Sequence, residues 1–125
     1  MLDTKRLVTL DDSLLFDIDY EKTRLPTKKY VMNIDTDTPI GIVGNSFNTV
    51  SHKEFIDRVE QTIKENRTPY ELFDAKVKVS TAKNNAVIIA DITLPNVTTN
   101  IVTNLMTTTI CERIIALHGV DGSMS

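Results

Sequence analysis

Lys76 and Lys78 stand two residues apart in a segment that reads as a strand, so both project from one face, and Lys83 follows in the turn behind them. With Tyr30 as a stacking platform, these residues have the chemistry to hold a single-stranded nucleic acid: cations for the phosphates and a flat ring for a base. Lys28, Lys29 and Tyr70 belong to the same set of candidates. The competing reading is a solvated sheet face on which lysines guard an edge against unwanted pairing. Net charge weighs on that side. The chain carries 17 acidic against 14 basic residues, a balance of −3, whereas domains dominated by phosphate contacts are clearly basic.

Other chemistry-bearing residues have simpler explanations. Asp17 with Asp19, and Asp35 with Asp37, have the spacing that puts two carboxylates on one face of a strand, as Mg²⁺ or Ca²⁺ chelation requires. The Asp35 segment lacks the Gly and closing Glu of a calcium loop, and turn and edge charges account for all four. His52 falls in the first turn of a helix and is expected at the surface, where the helix N-terminus disfavours its protonated form. His118, beside the Gly119–Gly122 turn, has no partner in the linear sequence with which to form an acid–base pair. The single cysteine, Cys111, permits no internal disulfide and no metal site of its own, and is expected as a small buried hydrophobe. Gly41-Ile42-Val43-Gly44-Asn45-Ser46 lacks the Lys and spacing of a phosphate loop. No catalytic set, metal or cofactor is expected.

The elements that would carry these residues are legible from periodicity. Tyr30, Met32 and Ile34 alternate as one apolar strand face; Thr36-Asp37-Thr38 supplies a turn, and Pro39 opens the return strand through Gly44. Gly41 and Gly44 permit a bulge or a close backbone approach. Ser51-His52-Lys53-Glu54 reads as a capping box, with Val50 and Phe55 as a hydrophobic staple. Phe55, Ile56, Val59 and Ile63 then form a helical stripe, outside which Asp57, Arg58, Glu60, Gln61 and Lys64 fall. Asn66 is placed as a left-handed C-terminal residue, and Pro69 bars continuation. A second hairpin joins residues 72–79 to 86–94 through the Lys83-Asn84-Asn85 turn, and the run Ala86–Ala90, apolar on both faces, suggests a central strand. The Thr- and Asn-rich stretch 96–109 reads as a long mobile connection before a last strand at 110–117.

The sum is an α+β domain: a mixed, mainly antiparallel sheet built from two hairpins, with at least one amphipathic helix packed on one face. Residues 1–28 read as an N-terminal arm or edge strand, and 29–125 as the α+β body of a single domain. A chain of 125 residues buries roughly two-thirds of its unfolded surface, enough for a core of Ile, Val and Leu. No apolar run approaches the ~20 residues of a membrane span, and the N-terminus lacks the apolar centre of a signal peptide. A cytoplasmic location in a bacterial host is expected, with no membrane partner.

Two segments resemble a known family. Pro39 to Phe55 (PIGIVGNSFNTVSHKEF) resembles a stretch of the phage- and plasmid-like proteins of unknown function, in which a strand reading lGiVgnrY leads through pvqh.eaf into a helix. Asp121-Gly122-Ser123 resembles that family's shDGS motif, although Gly119-Val120 stands where the family has Ser-His. The resemblance runs from about Tyr30 to Ser123. It covers the N-terminal portion of a pattern whose members continue into a second half. It implies a mobile-element origin and no mechanism. The leading expectation is a phage- or plasmid-derived accessory protein that binds single-stranded DNA during replication or recombination through Lys76, Lys78, Lys83 and Tyr30. The alternative is a structural or host-interaction protein acting as a homo-oligomer or through a phage or host protein partner.

Overall fold

In the computed structural model, which describes residues 6–122, the chain is α+β, with two three-stranded antiparallel sheets and one long helix. Ser123 and the first residues of the expected N-terminal arm lie outside the described residues. The first sheet is the meander β1 (Ile18–Lys22), β2 (Lys28–Asn33) and β3 (Thr38–Gly44). Helix α1 (His52–Asn66) and the single turn α2 (Pro69–Leu72) follow. The second sheet is the meander β4 (Lys76–Ala82), β5 (Val87–Val102) and β6 (Thr107–Gly119). Both expected hairpins form, but they stand in separate sheets, each completed by a third strand.

Turn chemistry sets the registers. Asp37 adopts the left-handed conformation between β2 and β3, and Lys83, Asn84 and Asn85 adopt it in succession between β4 and β5. Asn tolerates this region better than most residues with a side chain. Val31 and Val43, not the Tyr30–Met32–Ile34 face, are the buried residues of the first hairpin. The register shift between Val31 and Met32 interrupts the alternation, and Ile34 lies beyond the strand, half exposed.

Helix α1 starts at Ser51, whose hydroxyl accepts the Glu54 N–H at 3.2 Å. The box is not closed, because the Glu54 carboxylate bonds Arg58 instead. The reciprocal box occurs at the start of α2, between Thr68 and Glu71. Arg67, with an extended backbone, ends α1, so Asn66 is helical rather than left-handed. Pro69 is the first residue of α2, where its missing N–H costs nothing.

The inner face of the second sheet carries Ile88, Ala90, Ile92 and Leu94 of β5 against Ile56 and Ile63 of α1, and Val8, Leu10 and Leu14 close the same core. A smaller cluster of Phe16, Ala86 and Val120, with Ile18 and Ile40 against it, joins the two sheets. Glu60, expected outside the apolar stripe, is buried. Its Oε1 accepts the backbone N–H groups of Leu7 (3.0 Å) and Val8 (2.8 Å), which ties the N-terminal segment to the helix.

Candidate functional site

The outer face of the second sheet follows from its registers, since residues directly opposite share a face. Lys76 lies opposite Thr93, which lies opposite Arg113; Lys78 lies opposite Asp91, which lies opposite Ile115. Lys76 and Lys78 are exposed together on this face, as their spacing implies. Arg113 joins them, a contribution that only the β5–β6 register reveals. The face is not purely cationic. Arg113 donates to both Asp91 carboxylate oxygens (2.8 Å from Nε), and the Asp91 carboxyl is held below the usual range, by Arg113 first and by Lys78 to a smaller degree. Lys83 sits in the β4–β5 turn. Tyr30 is half-buried in the other sheet, opposite Glu21 and Ile42. The aromatic that does meet a cation there is Tyr20, with the Lys29 ammonium 3.8 Å from its ring centre. The structure therefore brings two of the four nucleic-acid candidates onto one face and places Tyr30 in a different sheet.

The Thr- and Asn-rich stretch is not a loop. It forms the far end of β5 and the start of β6, paired from Thr98 with Cys111 to Val102 with Thr107. Thr is β-branched and favours extended backbone, so a Thr-rich run without helical periodicity extends a ladder readily. Thr103 closes the tip, its N–H bonding the Met106 carbonyl at 2.8 Å. The register shift between Leu94 and Thr98 marks where this arm leaves the body. Residues 98–111 are exposed on both faces, with Leu105 94% and Val102 73% exposed at the end. Cys111 is likewise exposed, against the expectation of burial. From Ile92 to Cys111 the chain contains no Asp, Glu, Lys, Arg or His, in a protein that is 25% charged.

At the root of the arm, β6 is an edge strand. Beside it runs a groove of about 530 Å³ lined by Val59, Thr62 and Ile63 of α1 and by Ile114 and Ala116 of β6. The charges at its end neutralise each other: Arg67 donates to both carboxylate oxygens of Glu112, at 3.2 Å from Nε.

The two histidines meet in the core. His52, expected at the surface, is fully buried, and its ring lies edge-on to His118 with centroids 5.3 Å apart. A carbonyl can only accept, so His52 Nε2–H donates to Asn85 O (2.7 Å) and His118 Nε2–H donates to Val50 O (2.9 Å). His52 Nδ1 is buried with no hydrogen-bond partner among the described residues. Phe55 stacks on His118 and Phe16 meets His52 edge-on. Burial pushes both imidazoles below their ordinary pKa. For His52 the Asn85 carbonyl and Asp121 oppose that shift and His118 adds to it; for His118 the Val50 carbonyl opposes it. The pair pins the start of α1 to the second sheet and is closed to substrate.

Among the described residues no group of three or more His, Cys, Asp or Glu side chains could hold a metal ion, and no helix is long and apolar enough to cross a membrane. Comparison with protein-family models, curated proteins and solved structures finds no match to this chain.

Proposed function

We propose that this chain is a phage- or plasmid-derived accessory protein, without catalytic activity of its own, that works by docking its β5–β6 arm onto another polypeptide. The observation that carries the reading is the arm itself. It is an uncharged hairpin that projects beyond the core with Ile101, Val102, Leu105, Met106 and Ile110 exposed. A two-stranded ribbon is marginal alone in water, and apolar residues on both of its faces are stabilised when a partner covers them. Strand edges supply main-chain hydrogen bonds to such a partner, and alternate side chains supply specificity. The lineage rests on the two sequence segments that resemble phage- and plasmid-like proteins.

A photoreactive benzophenone amino acid in place of Leu105, activated in host cells, tests the docking. Covalent adducts to polypeptide support it; the absence of any polypeptide adduct retires it.

A second reading keeps single-stranded DNA as the ligand. It is favoured by Lys76, Lys78 and Arg113 sharing the open face of the second sheet. Asp91 at the centre of that face and the position of Tyr30 in the other sheet weigh against it.

A further inference from the structure

We infer that the arm docks onto a second copy of this chain, by antiparallel pairing of β6 with β6 of its partner about a two-fold axis at Arg113; this rests on the docking function proposed above and names its partner. Strand β6 runs Thr107–Gly119, and Arg113 is its central residue. Before Arg113, residues 107–111 belong to the exposed arm, while after it Ile114 and Ala116 floor the groove beside α1. Antiparallel pairing about the centre therefore lays the arm half of each copy along the body half of the other. One strand supplies both the insert and its seat, which is the self-complementarity an isologous dimer requires.

The side chains fit that register. Ile110 falls opposite Ala116 of the second copy, on the face that carries Ile114 and looks toward Val59 and Ile63 of α1. The small Ala116 leaves room for it. On the outer face Cys111 falls opposite Ile115 and Thr109 opposite Leu117, covering two of the exposed apolar residues of the sheet. Charge matches as well. The arm carries none, and the charges that border the groove are already matched as Arg67 with Glu112. Like charges directly opposite destabilise a pair, but each Arg113 on the axis is already neutralised by the Asp91 of its own chain.

Cys111, the single cysteine, reports the register directly. Residues directly opposite in an antiparallel pair have Cα atoms about 4.5–5.5 Å apart, within disulfide range. Within one strand residues four apart are separated by roughly 13 Å, too far to bridge. Ile115→Cys is therefore expected to form a disulfide-linked dimer under mild oxidation. Wild type and Leu117→Cys, whose new thiol lies two positions out of register, are expected to stay uncrosslinked over the same time. By sedimentation equilibrium the wild-type chain is expected to show twice its 14.0 kDa mass. Ile110→Lys, placed in the arm and outside the core, is expected to weaken dimerisation at least tenfold with an unchanged circular-dichroism spectrum. A wild-type monomer at millimolar concentration, or Leu117→Cys crosslinking as fast as Ile115→Cys, overturns the pairing. A monomer that still gives adducts to a different polypeptide from position 105 overturns the self-pairing and leaves the docking function standing; nucleic-acid adducts alone overturn both.

Discussion

His52 and His118 lie edge to face in the core, 5.3 Å between ring centres, and each donates its Nε2–H to a backbone carbonyl. Burial favours the neutral form of both rings, and a proton added at His52 Nδ1 would enter a buried position with no acceptor among the described residues. Asp121 is the acidic group that favours the His52 cation, and desolvation outweighs it. The folded imidazoles titrate below the ordinary value of 6.5, so the unfolded chain binds more protons beneath that pH and stability rises with pH there. Stability is expected to be level above about pH 7.5 and to fall as pH drops from about 6.5 toward the lowered folded values, with a slope of at most about 1.4 kcal/mol per pH unit for each proton. Urea unfolding between pH 5 and 8 measures it. Carboxylates contribute below about pH 5, so a slope absent between pH 5.5 and 6.5 would contradict the neutral pair.

Glu60 couples the N-terminal segment to α1 through two backbone N–H groups, one of them the N–H of the fully buried Val8. Glu60→Ala strands both donors and is expected to cost about 1–3 kcal/mol in urea unfolding. Glu60→Gln keeps a carbonyl oxygen at the same position and is expected to recover most of that loss. Equal losses in the two variants would mean that charge, through Arg6 and Lys64, rather than the acceptor, holds the segment.

The contrast between Glu60 and Ser51 shows what was legible beforehand. A cap is a local device: a hydroxyl and an N–H three residues apart in sequence find each other whatever the rest of the chain does, so Ser51 and the helix start could be read directly. The Asn84-Asn85 turn and the apolar run through β5 are local in the same way. Glu60 is buried because residues more than fifty positions earlier cross α1, and periodicity within the helix carries no sign of that. The burial of His52 is hidden from the local sequence in the same way, since its partners Phe16, Asn85 and His118 come from three distant segments. The arm had a readable signal that turn-like residues hid: β-branched Thr and Val around Asn100 and Asn104 extend a ladder as readily as they interrupt one. Of the candidate site, Lys76 and Lys78 share a face because period two is local, while Arg113 reaches them only through the β5–β6 register.

Lys76→Gln with Lys78→Gln separates the second functional reading from the first. Both side chains are exposed and opposite the polar Thr93 and Asp91, and Asp91 keeps its Arg113 partner, so the fold is expected to tolerate the pair within about 0.5 kcal/mol. If the open face binds single-stranded DNA, fluorescence anisotropy with an oligothymidylate at low salt is expected to show association that falls steeply with added salt and is lost in the double variant. An arm-docking protein shows neither, and its dimer mass is unaffected by the same changes.

Gly41 and Asp121 meet across the joint between the sheets. A Cβ on Gly41 would lie 3.0 Å from Asp121 Cβ, and one on Gly122 would lie 2.9 Å from Val43 Cγ1. Gly122 also has φ +84°, where a side chain is strained whatever the space. Gly44, by contrast, has nothing within 4 Å of its missing Cβ. Gly122→Ala is expected to destabilise by about 2–4 kcal/mol, from backbone strain together with the contact to Val43, and Gly41→Ala by about 1–3 kcal/mol from overpacking alone. Gly44→Ala is expected to be tolerated within about 0.5 kcal/mol. Adding Val43→Ala to Gly122→Ala relieves the contact but not the backbone, so in a double-mutant cycle the two are expected to be less costly together than the sum of each alone. Strict additivity would place the whole Gly122 effect in the backbone and remove the close approach of Val43 as a reason for the glycine there.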